Sequence, residues 1–304
     1  MTLRKPLDLF AVTVMVALCA LWGSQPISVK LIAADVAPLM QMGLRSGIAA
    51  LVLGALTIGR EGPRAFSDGT LPAGLLIGLL FAAEFLFIAQ GLVLTSASHL
   101  VVFLYSAPIF SALALHARFA DERLSPLQWA GVAVAFGGMA VSFLGGGSMG
   151  RDMLLGDGLG LLAGLAWGLT TVVIRVSKLS EAPAVKTLFY QVAFAGVTLL
   201  GLAALAGQTG MDLTPRVLLH LSYQTVVITL ISYVVWFWLL RHYLASRLSI
   251  LSFLTPLFGV VFGVMILREP LEPPFVMGAI LVLLGVSLVS GAEFLREKFA
   301  RRTA

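Results

Sequence analysis

The chain reads as an all-α integral membrane protein of ten transmembrane helices, arranged as two inverted five-helix repeats. Three observations lead there: too little charge for a soluble domain, a regular alternation of apolar runs with short polar breaks, and a block of sequence that occurs twice. Hydrophobic residues make up 59% and charged residues 12% of the 304 positions, and mean hydropathy is +0.99. Soluble domains carry roughly a quarter charged residues, so a water-facing surface cannot be assembled from this pool. A membrane-crossing helix needs about 20 apolar residues, and with its connection each unit takes roughly 30. Ten units use up the chain, which excludes a large catalytic or receptor module outside the membrane.

The first apolar run, about 9–31, follows Arg4 and Lys5 and exceeds the length of a signal-peptide core, so it is read as a retained span. Ser24, Gln25 and Pro26 form a polar patch in it, just beyond Trp22. The second span, 37–58, carries Arg45, and the third, 71–93, carries Glu84 and Phe85. The fourth, 96–116, is interrupted by Pro108, with Tyr105 and Ser106 in the preceding turn; the fifth covers 124–144. The stretch from Gly145 to Gly150 spells GxGxxG, but it follows a membrane helix rather than a strand and is read as a flexible connector. The sixth span, 155–177, has glycine at 156, 160, 164 and 168, a bare ridge for close helix packing, and Trp167. Spans at 184–206, 217–240, 246–267 and 273–294 complete the set; they include Tyr233, Ser252, Thr255 and Pro256. All are helices, because backbone in hydrocarbon must satisfy its own hydrogen bonds.

Orientation follows from the basic residues. Of the 20 Lys and Arg, Lys30, Arg151, Arg216 and Arg268 fall on one side and Arg45 lies within a span; the remainder gather on the other side with both termini. Both termini are therefore expected in the cytoplasm of a multi-pass inner-membrane protein. The net charge of +5 reports this asymmetry rather than nucleic-acid binding, and the lone Cys19 permits no internal disulfide.

Repetition is explicit. Ala97-Ser98-His99-Leu100 through Pro108-Ile109-Phe110 realigns without a gap on Ala245-Ser246-Arg247-Leu248 through Pro256-Leu257-Phe258. Downstream, Glu122 and Pro126 match Glu269 and Pro273, and upstream Leu21-Trp22-Gly23 matches Ala166-Trp167-Gly168. The expected organisation is a first repeat over 1–145, an outer connector over 146–154, and a second repeat over 155–304 with a basic cytoplasmic tail. Five spans per copy is an odd number, so the copies face opposite ways. Inverted repeats are a recurring plan of secondary transporters, in which substrate sites lie near the bilayer midplane between the copies.

These paired blocks resemble the EamA-type drug/metabolite transporter superfamily over nearly the whole chain. The resemblance implies ten helices, an inner-membrane location and export of small metabolites. Glu84, Tyr105 before Pro108, and Ser252 before Thr255-Pro256 are similar to what aromatic amino acid exporters carry.

Glu84 is the most informative position, because a carboxylate in mid-membrane costs about 2.5–3.5 kcal/mol unless paired, protonated or facing water. Arg45 and Glu84 each lie about 12–14 Å deep at 1.5 Å per residue. They either form a structural ion pair locking two helices, or Glu84 faces the pathway and meets a substrate ammonium group. The second repeat has Gln191 and Ser232 at these positions, so the charged role belongs to one half. Trp22 and Trp167 are equivalent, and Phe85 is mirrored by Tyr233; mid-span rings are not headgroup anchors and are read as walls of a cavity between spans 1, 3, 4, 6, 8 and 9. Ser24 and Gln25 add polar contacts, and Tyr105 and Ser252 a polar wall. Pro108 and Pro256 each free a backbone carbonyl and are read as hinges. Of Trp236, Phe237 and Trp238, at most one faces the centre.

His99, His116, His220 and His242 are scattered among helix ends and are read as interfacial; no Walker A, HExxH or Cys/His metal spacing occurs. No cofactor, metal or catalytic group is expected. The function expected is export of a small-molecule substrate, an amino acid with an aromatic or other neutral side chain, by alternating access within the lipid bilayer; one chain holds both halves, which fits a monomer and leaves a homo-oligomer open. The alternatives are another small metabolite or drug as cargo, or an integral-membrane lipid-modifying enzyme.

Overall fold

The computed structural model describes residues 8–62, 65–119, 123–144, 150–243, 248 and 251–300. Among them the chain is helical, with one isolated antiparallel bridge between Val36 and Met211. The helices are α1 (Leu9–Leu31), α2 (Pro38–Glu61), α3 (Leu71–Leu94), α4 (Ala97–Leu104), α5 (Ala107–Arg118), α6 (Pro126–Leu144), α7 (Arg151–Val176), α8 (Ala184–Leu205), α9 (Pro215–Ser222), α10 (Ser232–His242), α11 (Leu254–Leu267) and α12 (Pro273–Ala300). A π-helical segment, Tyr223–Ile231, joins α9 to α10. Seven helical stretches among the described residues are long and apolar enough to cross a membrane, counting α4 with α5 as one and α9 through Trp236 as another; Leu254–Leu267 and Pro273–Val289 are shorter apolar helices.

Local chemistry explains several ends. Asp8 caps α1 by accepting from the Ala11 N–H at 2.8 Å, and Thr214 caps α9 by accepting from Val217 at 3.2 Å. Pro38 and Pro215 open their helices, where a missing N–H costs nothing. At Pro108 the missing donor interrupts the ladder: α4 stops at Leu104, the Ser106 hydroxyl donates to the Phe103 carbonyl at 2.6 Å, and α5 restarts at Ala107. Two expectations change. Helix α7 begins at Arg151 rather than 155, and the eighth span is not a regular α-helix from 217, because its middle widens into the π segment.

The two copies run antiparallel. At one end of the bundle, called here the Leu9 end, Tyr243 after α10 donates to Asp8 before α1 at 2.8 Å. At the opposite, Leu31 end, the start of α7 meets the end of α3, where Thr95 donates to Asp157 at 2.5 Å. Helix α7, the equivalent of α1, thus starts where α1 finishes. The exchange holds atom by atom. A Cβ on Gly23 of α1 would meet Thr255 O, Phe258 Cβ and Gly259 N of α11, each at 2.8 Å. A Cβ on Gly168 of α7 would meet Ala107 O, Phe110 Cβ and Ser111 N of α5 at 2.8, 2.9 and 3.2 Å, and these three are the repeat equivalents of the first three. Likewise α2 packs on α8, with Gly43 against Leu200 and Gly54 against Phe189, and α6 packs on α12 through Gly131 and Gly138. A pseudo-two-fold axis therefore relates the halves, with α1 and α7 as equivalent helices.

Candidate functional site

The first helix carries Trp22, whose indole N–H donates to the Ser232 hydroxyl at 2.9 Å. Ser232 in turn donates to the Ile228 carbonyl of the π segment. The Trp22 ring lies 6.4 Å from Tyr233 and 5.7 Å from Trp236, so of the three consecutive aromatics Trp236 is the one that turns inward. Trp238 packs instead on His242 and Phe10 and is 42% exposed; the Phe237 side chain lies outside the described residues. On the other half, Tyr105 and Trp167 meet edge to face at 5.2 Å and 82°. Tyr105 and Cys19 both face Thr255, and Cys19 donates to the Leu251 carbonyl at 3.3 Å. Tyr105, just before Pro108, and Thr255, just before Pro256, thus meet across the two halves. Ser252 is half-buried in the turn before α11, and Gln25 is half-buried on α1.

Arg45 and Glu84 are 3% and 6% exposed, on neighbouring helices α2 and α3. Of the two readings offered by the sequence, the ion pair is not closed: no N–O contact within 4.0 Å joins them. The Arg45 guanidinium lies 4.4 Å over the ring of Phe85 instead. Consecutive helical residues point about 100° apart, so an arginine seated on Phe85 is turned off Glu84. Both charges and Tyr233 of α10 lie within electrostatic reach of one another. Neither Arg45 Nε nor Glu84 Oε2 has a hydrogen-bond partner.

A second polar group lies toward the Leu31 end and was not anticipated as a unit. Ser24 pairs with the Tyr223 hydroxyl at 2.5 Å, and Ser28 with His220 at 3.0 Å. Gln224 donates to Gln41 at 3.0 Å and to Ser28 at 3.3 Å, while Gln41 donates to the Val29 and Val36 carbonyls. The wide turn of the π segment is what brings Tyr223 and Gln224 onto α1 and α2 together. Glutamines at 41 and 224 inside apolar runs were the available signal.

The Leu31 end is tied by charges. The Glu269 carboxylate after α11 accepts the N–H groups of Ala97 and Ser98 at 2.7 and 3.0 Å and the Ser98 hydroxyl at 2.7 Å. Lys30 of α1 sits 3.5 Å from Glu269 and donates to the Thr95 carbonyl at 2.7 Å. His99, expected at the membrane interface, is 1% exposed: it bonds Asp157 at 2.8 Å and stacks on Phe275 at 3.7 Å. A hollow of about 540 Å³ lined by Lys30, Pro38, Leu92 and Glu269 opens beside this cluster. The equivalent residues of the other copy, Glu122, Ala245, Ser246 and Arg247, lie outside the described residues. So does the GxGxxG connector except Gly150.

At the Leu9 end Lys186 of α8 is 1% exposed and donates to Asp68 at 2.6 Å, to Glu61 at 3.2 Å and to the Ala65 carbonyl. The Lys186 ammonium, helped by Thr70, holds the Asp68 carboxyl well below the usual carboxylate range. Among the described residues no group of three His, Cys, Asp or Glu side chains is placed to hold a metal ion.

Comparison with known proteins accords with this arrangement. A crystal structure 16% identical in sequence superposes with a TM-score of 0.65 over 92% of this chain and 97% of that one. A probable amino-acid metabolite efflux pump of Escherichia coli (strain K12) is 27% identical, covering 87% of this chain and 89% of its own length. The uncharacterized transporter YoaV of Bacillus subtilis (strain 168) is 22% identical, covering 90% and 94%. The EamA-like transporter family matches twice, at residues 9–144 and again at 154–291, one match on each antiparallel half. With both halves so matched, the chain belongs to the EamA-like transporter family and is a multi-pass membrane transporter.

Proposed function

We propose that this transporter exports small metabolites from the cytoplasm across the inner membrane, and that its cargo is an amino acid with an aromatic or other neutral side chain. The observation that carries the reading is a pair of aromatic contacts, Trp22 with Tyr233 and Tyr105 with Trp167, with buried Glu84 in electrostatic reach of both tyrosines. Rings from both halves suit an apolar side chain, and a carboxylate suits an ammonium group. A relative named as a probable amino-acid metabolite efflux pump favours the same cargo.

In this reading ten spans cross the membrane, the repeats cover 1–145 and 155–304, and 146–154, whose last four residues already belong to α7, connects them outside. The basic-residue bias puts the Leu9 end and both termini in the cytoplasm, so Glu269 and Lys30 close the outer end. Alternating access has the repeats bend at Pro108 and Pro256, opening the middle to one side at a time. The purified protein in liposomes, loaded with unlabelled amino acid, should accumulate radiolabelled amino acid by counterflow with saturable kinetics. Absence of saturable flux for every amino acid tested would overturn the cargo assignment.

A further inference from the structure

We propose that Arg45 and Glu84 form a head-group site for a small zwitterion, Arg45 taking the carboxylate and Glu84 the ammonium group. This rests on the amino-acid reading above and assigns each charge of the cargo's head to one residue.

Two opposite charges placed in a bundle for stability close on each other and fill their remaining bonding capacity, because an unpaired buried charge is costly. Here they do neither. They are 3% and 6% exposed, they make no contact within 4.0 Å, and Arg45 Nε and Glu84 Oε2 are sealed from solvent without a partner. The stack on Phe85 at 4.4 Å holds the guanidinium in place without consuming its N–H donors. Arginine presents those donors as a planar fork, a geometry that matches a carboxylate. Tyr233 lies within electrostatic reach of both charges, and its ring neighbours Trp22, so the charged pair continues into the aromatic wall.

A ligand with only an ammonium group would satisfy Glu84 and leave Arg45 unmatched; a ligand with only a carboxylate would do the reverse. A zwitterion satisfies both at once. The second repeat carries Gln191 and Ser232 at these positions, and Ser232 is already bonded to Trp22, so the site is single and lies off the pseudo-two-fold axis. One head group per carrier is the consequence.

The test is competition in counterflow by the full-length protein in liposomes, with radiolabelled L-phenylalanine as the reporter. The competitors are L-phenylalanine, phenethylamine, which lacks the carboxylate, and 3-phenylpropionate, which lacks the ammonium group. Both one-charge analogues should compete roughly 10- to 100-fold more weakly than L-phenylalanine, the range for losing a hydrogen bond to a charged group. Arg45→Gln should bring phenethylamine level with L-phenylalanine, and Glu84→Gln should do so for 3-phenylpropionate; the wild-type comparison stands even if a variant does not fold. Phenethylamine competing as well as L-phenylalanine on the wild-type protein overturns the head-group site and leaves amino-acid export intact. No saturable flux of any amino acid overturns the cargo reading and this inference with it.

Discussion

Replacing Glu269 with alanine should unlatch the Leu31 end. Its carboxylate accepts three hydrogen bonds from the start of α4, at 2.7, 3.0 and 2.7 Å, and sits 3.5 Å from Lys30. Hydrogen bonds to a charged group contribute about 1.5–3 kcal/mol each, so the three set a ceiling of about 4.5–9 kcal/mol. Water regains part of this when the end opens, because the Glu269 and Lys30 side chains are already 9% and 24% exposed. About 3 kcal/mol is a fair remainder, and at 1.4 kcal/mol per tenfold it shifts the closed-to-open ratio about 100-fold. The reporter is a cysteine at Ala97, which is fully buried, in a Cys19→Ser background that removes the chain's single native thiol. A membrane-impermeant maleimide should label Ala97→Cys slowly in the parent and about 100-fold faster with Glu269→Ala. Equal labelling rates in two well-folded proteins would refute the latch.

Other perturbations separate packing from chemistry. A Cβ at Gly138 would meet the α12 backbone, Gly278 O at 2.6 Å and Val282 N at 2.7 Å, while one at Gly137 meets nothing within 4 Å. Gly138→Val should therefore lower the melting temperature in detergent by several degrees, from about 1–3 kcal/mol of overpacking or more, and Gly137→Ala should not. Trp167→Ala removes the edge-to-face partner of Tyr105 and should raise the apparent KM for amino-acid flux several-fold with little loss of folded protein; the opposite ranking makes the ring a packing residue. Asp68 is held in its charged form by Lys186, so its contribution to stability is present above the unfolded carboxyl value, about pH 4, and is lost as pH falls toward the depressed folded value. Asp68→Asn should melt below the parent at neutral pH, and the gap should shrink on acidification below about pH 4; a pH-independent gap would contradict this.

Repeat symmetry makes much of this fold legible in the sequence. Gly23 and Gly168 follow the equivalent Trp22 and Trp167, and they pack on equivalent atoms of α11 and α5. The proline breaks were readable for the same reason: both copies carry them, and a missing donor in mid-span has few places to go. What could not be read depends on partners remote in sequence. Glu269 caps a helix that starts at Ala97, and nothing local marks it as an acceptor for that end. His99 looked interfacial because it sits near a helix start; it is buried because Asp157 and Phe275, from two other helices, enclose it. The π segment arises where Gln224 and Thr225 are drawn into the core, and apolar periodicity does not encode a choice between i→i−4 and i→i−5 bonding. Arg45 and Glu84 were legible as buried charges, but their separation was set by Phe85, whose ring takes the guanidinium.

Antiparallel halves around a shared middle require that the two ends of the bundle respond in opposite senses to cargo. Spin labels can be placed in pairs at exposed sites in lipid nanodiscs, Val93 with Leu213 for the Leu31 end and Phe10 with Arg118 for the Leu9 end. Pulsed distance measurements with and without saturating amino acid should show one distance lengthening while the other shortens. Two distances that move together, or that ignore the amino acid, would contradict alternating access by these repeats.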